Sequence, residues 1–277
     1  MGTADDDTIY PGGGWDVVEG GQGIDTVVIV GRSSQFKLVF ENGVTYIDAL
    51  SGASAMTERA QLINVELVQF LDKTVSLVVN DTFQGQPGTD FIDGGLGTDT
   101  VVYSGPIERY TVNKSGNRYI VSEPTGSDDT DYLTNIERLQ FKQSKLALDI
   151  ANGPVVDGAK LMGALLGPAF VKDKALAGIV IGLMDQNYSA EFVATLGLAT
   201  PLYLSMAGSR SHVDFVKQVF TNVVGRLPLP QELVQYVGML ENGSVTQASL
   251  AVMAANTDLN AARIDLVGLV QHGWEFV

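Results

Sequence analysis

The sequence predicts an α+β protein of several domains, in which two repeated β units precede an all-α segment. Residues 14–28 match residues 88–102 at nine of fifteen positions, and residues 63–70 match residues 134–141 at four of eight. Short β-branched or alternating runs between Gly/Asp turns fill the first half, which is the pattern of strands. From about Asp157 the apolar residues change to helical spacing. We therefore predict a first β unit at 1–79, a second at 80–152 and a helical segment at 153–277.

Evenly spaced aspartates mark the start of each β unit. The first three and the last three form separate arrays with the same spacing: Asp7, Asp16, Asp25, Asp81, Asp90 and Asp99. An apolar residue follows each aspartate by two positions, and glycines cluster just before it. The repeated pattern is G-G-x-G-x-D-x-U-x, and it is clearest at 20–28 and 94–102.

This pattern resembles the RTX, or haemolysin-type, nonapeptide of secreted bacterial proteins, which forms a calcium-binding parallel β-roll. The resemblance implies that each unit is a short β-roll extended by antiparallel strands. Aspartates two repeats apart would stack on the same side of successive coils, where calcium takes carboxylate and carbonyl oxygens. The implied calcium-binding residues are Asp7, Gly14, Asp16, Gly21, Gly23, Asp25, Asp81, Gly88, Asp90, Gly95, Gly97 and Asp99.

The small apolar content of each nonapeptide explains why calcium is needed. Ordering one residue costs about 1–2 kcal/mol, whereas a buried Val or Ile contributes only about 1.5–3 kcal/mol. One inward apolar side chain per repeat therefore cannot fold the array alone, and we expect bound calcium to supply the missing stability. The alternative is a set of ordinary Gly/Asp hairpin turns in an all-β protein.

Strands are also predicted beyond the arrays. Their ranges are 26–30, 36–40, 44–48, 67–70 and 75–79, and in the second unit 100–103, 110–113, 119–121, 139–141 and 145–150. Residues 131–141 resemble a segment that commonly follows RTX repeats. We interpret Glu66 and Glu137 within the recurring segment as solvated or turn-bonding residues, in preference to catalytic ones.

The last segment predicts helices at 158–166, 172–185, 190–196, 201–207, 211–224, 230–241, 244–255 and 259–272. Ser189 and Ser211 are suitable N-caps, and Pro230 suits a first turn. Residues 211–257 resemble a helical domain of unknown function that is often found with RTX repeats. In this interpretation Arg226 is a helix C-cap or a buried ion-pair partner.

The predicted location is extracellular. The sequence has no cysteine, and no cleavable signal is visible after Met1. Residues 273–277, an acidic residue among terminal hydrophobics, resemble the C-terminal signal of type I secretion. The alternative is that Trp274 and Phe276 are only packing residues of the helical segment.

The expected function is non-enzymatic. The two histidines, His212 and His272, lie in no metal-ligand or catalytic motif, and the net charge of −15 argues against nucleic acid as a partner. We expect a calcium-binding secreted or cell-surface protein, such as a surface-layer, filament, matrix or adhesin component, that folds on calcium after type I export. The alternative is the C-terminal folding and secretion module of a larger exoenzyme or adhesin. The expected partners are calcium and the type I secretion machinery, with self-association and cell-surface polysaccharide left open.

Overall fold

The structure, a computed structural model, describes residues 2–41, 44–50, 57–124 and 129–277. It contains two compact units. The array unit holds the chain up to Val102 together with Ser115–Val121 and the segment that ends at Glu137. The helical unit holds Tyr103–Lys114, Ser122–Thr125 and Arg138–Val277. Both arrays thus share one unit, and the helical unit begins before the predicted boundary at 152/153.

Strands make up the first half of the array unit. They are β1 Thr8–Ile9, β2 Gly14–Glu19, β3 Thr26–Val28, β4 Phe36–Glu41, β5 Val44–Ala49, β6 Thr57–Ile63, β7 Leu67–Gln69 and β8 Thr74–Ser76. One sheet has the order β1-β3-β7-β8, and the other has the order β2-β6-β5-β4. The pairs β1/β3, β3/β7 and β2/β6 are parallel, and the remaining pairs are antiparallel.

The repeat spacing sets the strand register. Thr8 lies opposite Thr26 and Ile9 lies opposite Val27, so β1 pairs with the equivalent strand two repeats later. Val27 from one sheet and Ile47 from the other are completely buried in the same apolar cluster. Of the apolar residues that follow the aspartates of this array, Val27 is therefore buried in the core, and Ile9 packs against it partly buried.

The second array repeats this arrangement. The strands of this part of the chain are β9 Thr82–Gln84, β10 Phe91–Asp93, β11 Thr100–Val102, β12 Thr111–Ser115, β13 Arg118–Ser122 and β14 Thr130–Thr134. Of these, β12 falls mostly in the helical unit. Strand β9 is parallel to β11, and β10 is parallel to β14, which has β13 as its next neighbour. Val101, Val121 and Leu133 are buried.

Two strands of the array unit that lie beyond the nonapeptides are absent from the predicted set, namely β6 and its counterpart β14. Strand β6 reads Thr-Glu-Arg-Ala-Gln-Leu-Ile, in which only Ala60 and Leu62 mark a buried face. Such a polar run has little strand propensity of its own. Its parallel pairing with β2, a tertiary contact, determines that it is extended.

The helical unit contains β15 Arg138–Gln140 and β16 Lys145–Ala147, followed by helices. These are α1 Pro154–Leu166, α2 Lys174–Asp185, α3 Ala190–Ala199, α4 Pro201–Ala207, α5 His212–Val224, α6 Pro230–Glu241, α7 Gln247–Ala255, α8 Asp258–Arg263 and α9 Leu266–His272. The expectation of strands in the first half and helices in the second is confirmed. Ser189 and Ser211 cap α3 and α5 as predicted.

Several predicted helix boundaries are wrong: α1 begins at Pro154 and not at 158, and α3 ends at Ala199 and not at 196. Helix α7 begins after Thr246, which caps it, and not at Ser244. The predicted helix at 259–272 is two helices, because Asp265 adopts a left-handed conformation with φ of 53°. The Asp265 carboxylate then accepts a hydrogen bond from the Gly268 N–H, which starts a new helix.

The chain ends in a strand, so the segment predicted as all-α is not wholly helical. Strand β17, Trp274–Phe276, pairs antiparallel with β16. Trp274 is 1% exposed, and its indole N–H donates to the Val171 carbonyl at 2.7 Å. Residues 273–277 are therefore part of the folded unit, as the packing alternative requires. A role as an export signal remains a prediction.

Among the described residues, no single helix has the length and apolar character to cross a membrane. The pair α3 and α4, bent by 73°, meets those criteria only when its two helices are taken together.

Candidate calcium site

Backbone-to-carboxylate hydrogen bonds connect the coils of the first array. The Asp7 N–H donates to Oδ1 of Asp25 at 2.8 Å, and the Asp25 N–H donates to Oε2 of Glu66 at 2.8 Å. Each carboxylate therefore holds the backbone of the coil before it. The spacing of two repeats produces this ladder, because it places the aspartates at equivalent positions on successive coils.

The second array has the same ladder. The Asp81 N–H donates to Oδ1 of Asp99 at 2.7 Å, and the Asp99 N–H donates to Oε2 of Glu137 at 2.8 Å. The internal duplication of the sequence is thus a duplication of this hydrogen-bond network.

Asp25 and Asp99 each use only one carboxylate oxygen in the ladder. Asp25 and Asp99 have 0% exposure, and among the described contacts Oδ2 of each has no hydrogen-bond partner. Burial raises the pKa of Asp99, an effect that the bond from the Asp81 N–H opposes and the charges of Asp81 and Asp93 reinforce. A buried carboxylate oxygen without a partner is costly. A bound cation would remove that cost, so these residues fit calcium.

A backbone carbonyl approaches the same place. A Cβ atom on Gly20 would lie 1.8 Å from the Asn64 carbonyl oxygen and 2.4 Å from Oδ2 of Asp25. Only glycine therefore allows these oxygens to come together. At Gly94 the corresponding distances are 2.1 Å to the Asn135 oxygen and 2.6 Å to Oδ2 of Asp99. Carboxylate and carbonyl oxygens are the ligands that calcium prefers.

The turn glycines allow the close approach of neighbouring coils. Gly21 and Gly23 have positive φ, and a Cβ atom on them would meet the backbone of Thr3 and Asp5 at 2.1 and 2.8 Å. Gly97 likewise would meet the Val79 oxygen at 2.2 Å. Gly95 has a φ of 85°, which favours glycine. The structure thus brings Asp7, Gly21, Gly23 and Asp25 into one pair of stacked turns, and Asp81, Gly97 and Asp99 into another.

The middle repeat of each array is different. Gly14 and Gly88 also have positive φ, yet a Cβ atom there would meet no described atom within 4 Å. Oδ2 of Asp16 is buried without a described partner, as in Asp25. Asp90 instead accepts a hydrogen bond from the Gln86 N–H at 2.8 Å. Gly14 and Gly88 therefore lack the close packing against neighbouring backbone that Gly20 and Gly94 show.

Sequence reasoning missed the residues that end each ladder. Glu66 and Glu137 were predicted from the sequence to be solvated or turn-bonding, and the structure shows that they bond to turns. Each accepts a backbone N–H, as an aspartate does one coil earlier. Asp131, which is 1% exposed, does the same for the Asp90 N–H at 2.9 Å. The recurrence of 63–70 at 134–141 was the signal that could have identified the two glutamates, because both occupy the same place in it.

Side-chain carboxylates do not form the site alone. Within the described part of the chain, no three acidic or histidine side chains converge as a metal cluster. A calcium ion at Asp25 or Asp99 would therefore need oxygen ligands from the backbone turns as well.

Comparison with known proteins identifies the two arrays. Residues 1–27 and 80–102 match the family described as RTX calcium-binding nonapeptide repeat (4 copies). These segments are therefore RTX repeats, and RTX nonapeptide repeats bind calcium ions. The predicted resemblance to RTX repeats and the predicted cofactor are both confirmed, and the resemblance of residues 211–257 to a helical domain stays a prediction. The matched residues contain every aspartate of the two ladders.

Two further comparisons add little. No curated protein matches the chain. Among solved structures, the extracellular lipase LipA from Serratia marcescens is similar at 12% identity with a TM-score of 0.21, over 49% of this chain and 37% of the lipase. The chain thus matches little more than a third of that protein's length.

Proposed function

We propose that this chain is a non-enzymatic calcium-binding protein that is secreted unfolded by a type I system and folds on calcium outside the cell. There it would act as a surface-layer, filament, matrix or adhesin component. The observation that carries the proposal is the buried, unpartnered Oδ2 atom of Asp25 and of Asp99 beside a backbone carbonyl. Each of the two arrays is, in this proposal, a short parallel β-roll.

The difference in calcium concentration between the inside and the outside of the cell would restrict folding to the outside. Extracellular calcium modules bind at about 10⁻⁴–10⁻³ M, far above the free calcium concentration inside a cell. Without the ion, the buried carboxylates Asp25 and Asp99 oppose folding, so the chain stays exportable. At about a hundredfold excess of calcium over the dissociation constant, each site adds about 2.7 kcal/mol of stability.

The surroundings of the histidines support a non-enzymatic role. His212 lies at the start of α5, where its Nδ1 is 3.1 Å from Nε2 of Gln247. Nδ1 of His272 is 2.9 Å from the Val112 carbonyl oxygen. Both contacts are those of structural residues at helix ends, and Arg226 forms an exposed bidentate pair with Glu232.

Circular dichroism of the full chain tests the proposal. In EDTA we expect loss of most strand signal, and calcium at millimolar concentration should restore it. Magnesium at the same concentration should not, because it demands a tighter octahedral shell. Helical signal from 154–277 should persist in EDTA and serves as an internal control. An unchanged spectrum and melting temperature after chelation would reject calcium-dependent folding.

A further inference from the structure

A row of planar side chains crosses one face of the sheet that contains β10, β14 and β13. Phe91 on β10 lies directly opposite Tyr132 on β14, and their rings stack at 4.9 Å with planes 10° apart. The guanidinium of Arg118, on the neighbouring strand β13, lies 5.4 Å from the centre of the Tyr132 ring. Phe91 is 75% exposed. We call these three residues the Phe91 row.

The first array has an equivalent row on the corresponding sheet. Trp15 on β2 lies opposite Arg59 on β6, and the Arg59 guanidinium lies 4.2 Å from the centre of the Tyr46 ring on β5. Trp15 is 72% exposed. We call these residues the Trp15 row. Each row therefore holds two aromatic rings and one guanidinium on three adjacent strands.

The rows are not part of the core. Val18 and Leu133, which point to the opposite face of the same strands, are 3% and 1% exposed. Trp15 and Phe91 lie instead on the edge strands of their sheets. An exposed aromatic side chain on an edge strand favours aggregation, so its presence in both arrays indicates a binding role.

We propose that the two rows bind a neutral polysaccharide, with the C–H faces of its sugar rings packed on Trp15 and Phe91. The face of an aromatic ring carries partial negative charge, which attracts polarised C–H groups. The guanidinium groups of Arg59 and Arg118 would donate hydrogen bonds to hydroxyl oxygens. This inference goes beyond calcium-dependent folding, which serves only to build the sheets.

The surroundings of the Phe91 row favour a glycan over a protein partner. By strand alternation, Thr130 and Thr134 share the face of Tyr132, and Asp93 shares the face of Phe91. Hydroxyl and carboxylate groups around flat rings suit a polyhydroxylated ligand. The two rows differ in residue type and order, but each places two aromatic rings and one guanidinium on three adjacent strands, which suits the repeating rings of one polymer.

Charge favours a neutral polymer. The chain has a net charge of −15, so an anionic polysaccharide would be repelled. The positive charge of Arg59 does not offset this repulsion, because its Nε already lies 3.1 Å from Oδ1 of Asp48.

Affinity electrophoresis in calcium tests the proposal with soluble dextran, mannan, laminarin and galactan, and with alginate as the anionic probe. We expect at least one neutral polymer to retard the full chain. Phe91→Ala and Trp15→Ala should each weaken that retardation about tenfold, and the double variant more. Phe91→Tyr should restore binding, since it keeps the ring. Alginate should retard the chain less.

Phe192→Ala is the matched control, because Phe192 is 44% exposed and stacks on Tyr188 at 4.8 Å in the helical unit. It should bind as the unchanged chain does. The calcium midpoint by circular dichroism should be the same in all variants, which separates this proposal from calcium-dependent folding. Retardation by no neutral polymer, or equal loss in Phe192→Ala, would overturn it. So would a wild-type dimer that Phe91→Ala dissociates in sedimentation, since the rows would then be a self-association surface.

Discussion

The two oxygens of Asp25 have separate roles that substitution can distinguish. Oδ1 accepts the Asp7 N–H at 2.8 Å, and Oδ2 is buried without a described partner. Asp25→Asn keeps an acceptor for the Asp7 N–H but removes the charge and one carboxylate oxygen. Asp25→Ala removes both. If Oδ2 is a calcium ligand and Oδ1 a ladder contact, Asp25→Asn should lie between the wild type and Asp25→Ala.

The magnitudes follow from the two contacts. Loss of a calcium ligand should raise the calcium midpoint of the first array at least about tenfold, which corresponds to about 1.4 kcal/mol. Asp25→Ala also leaves the Asp7 N–H without its acceptor, a further cost of about 1–3 kcal/mol. We therefore expect its midpoint to rise another five- to hundredfold or so.

Calcium titration of the full chain, followed by circular dichroism in the strand region, measures both midpoints. Glu58→Gln is the matched control, because Glu58 is an exposed carboxylate in β6 of the same unit and loses the same charge. Its midpoint should be unchanged.

Two results would refute the assignment of the oxygens. If Asp25→Asn titrates like the wild type, Oδ2 is not a ligand. If the Asn and Ala variants titrate alike, the bond from the Asp7 N–H contributes nothing to folding.

Other predictions concern the end of the second ladder and the helical unit. Glu137→Ala should raise the calcium midpoint of the second array about tenfold, because the Asp99 N–H loses its acceptor; an unchanged midpoint would remove Glu137 from the ladder. Deleting residues 273–277 should lower the melting temperature of the helical unit, since Trp274 is buried there. The deletion should also abolish export if the segment is a type I signal. Normal export with a lowered melting temperature would leave packing as the only role of the segment. The bond from Arg226 lowers the pKa of Glu232 from 4.5 to about 2, so this pair stabilises fully above pH 4.5 and is lost toward pH 2. Melting temperatures of Glu232→Gln and wild type should accordingly differ at pH 7 and converge near pH 2, and a constant difference would contradict the pairing.

The turns of the two arrays could be predicted because their information is local and repeated. The spacing of Asp7 and Asp25 places them on successive coils, and the structure pairs their strands in that register. Gly21 and Gly97 were predicted in the same way, since a tight turn between close coils admits only glycine. Helix caps at Ser189 and Ser211 are also local signals, and the structure has both.

Contacts between distant segments were decided only by the tertiary structure. Glu66 and Glu137 end the ladders because the segments that contain them return to the array after long connections. The repeat spacing does not encode where those later segments pair. Strand β6 is extended because it pairs with β2. The aromatic rows likewise exist only where three strands lie side by side. The sequence by itself determined the repeating coil, in which every contact recurs at a fixed interval. Only the tertiary structure decided which side chains bond to the last coil of each array, because strand pairing across long loops depends on tertiary packing and not on local sequence.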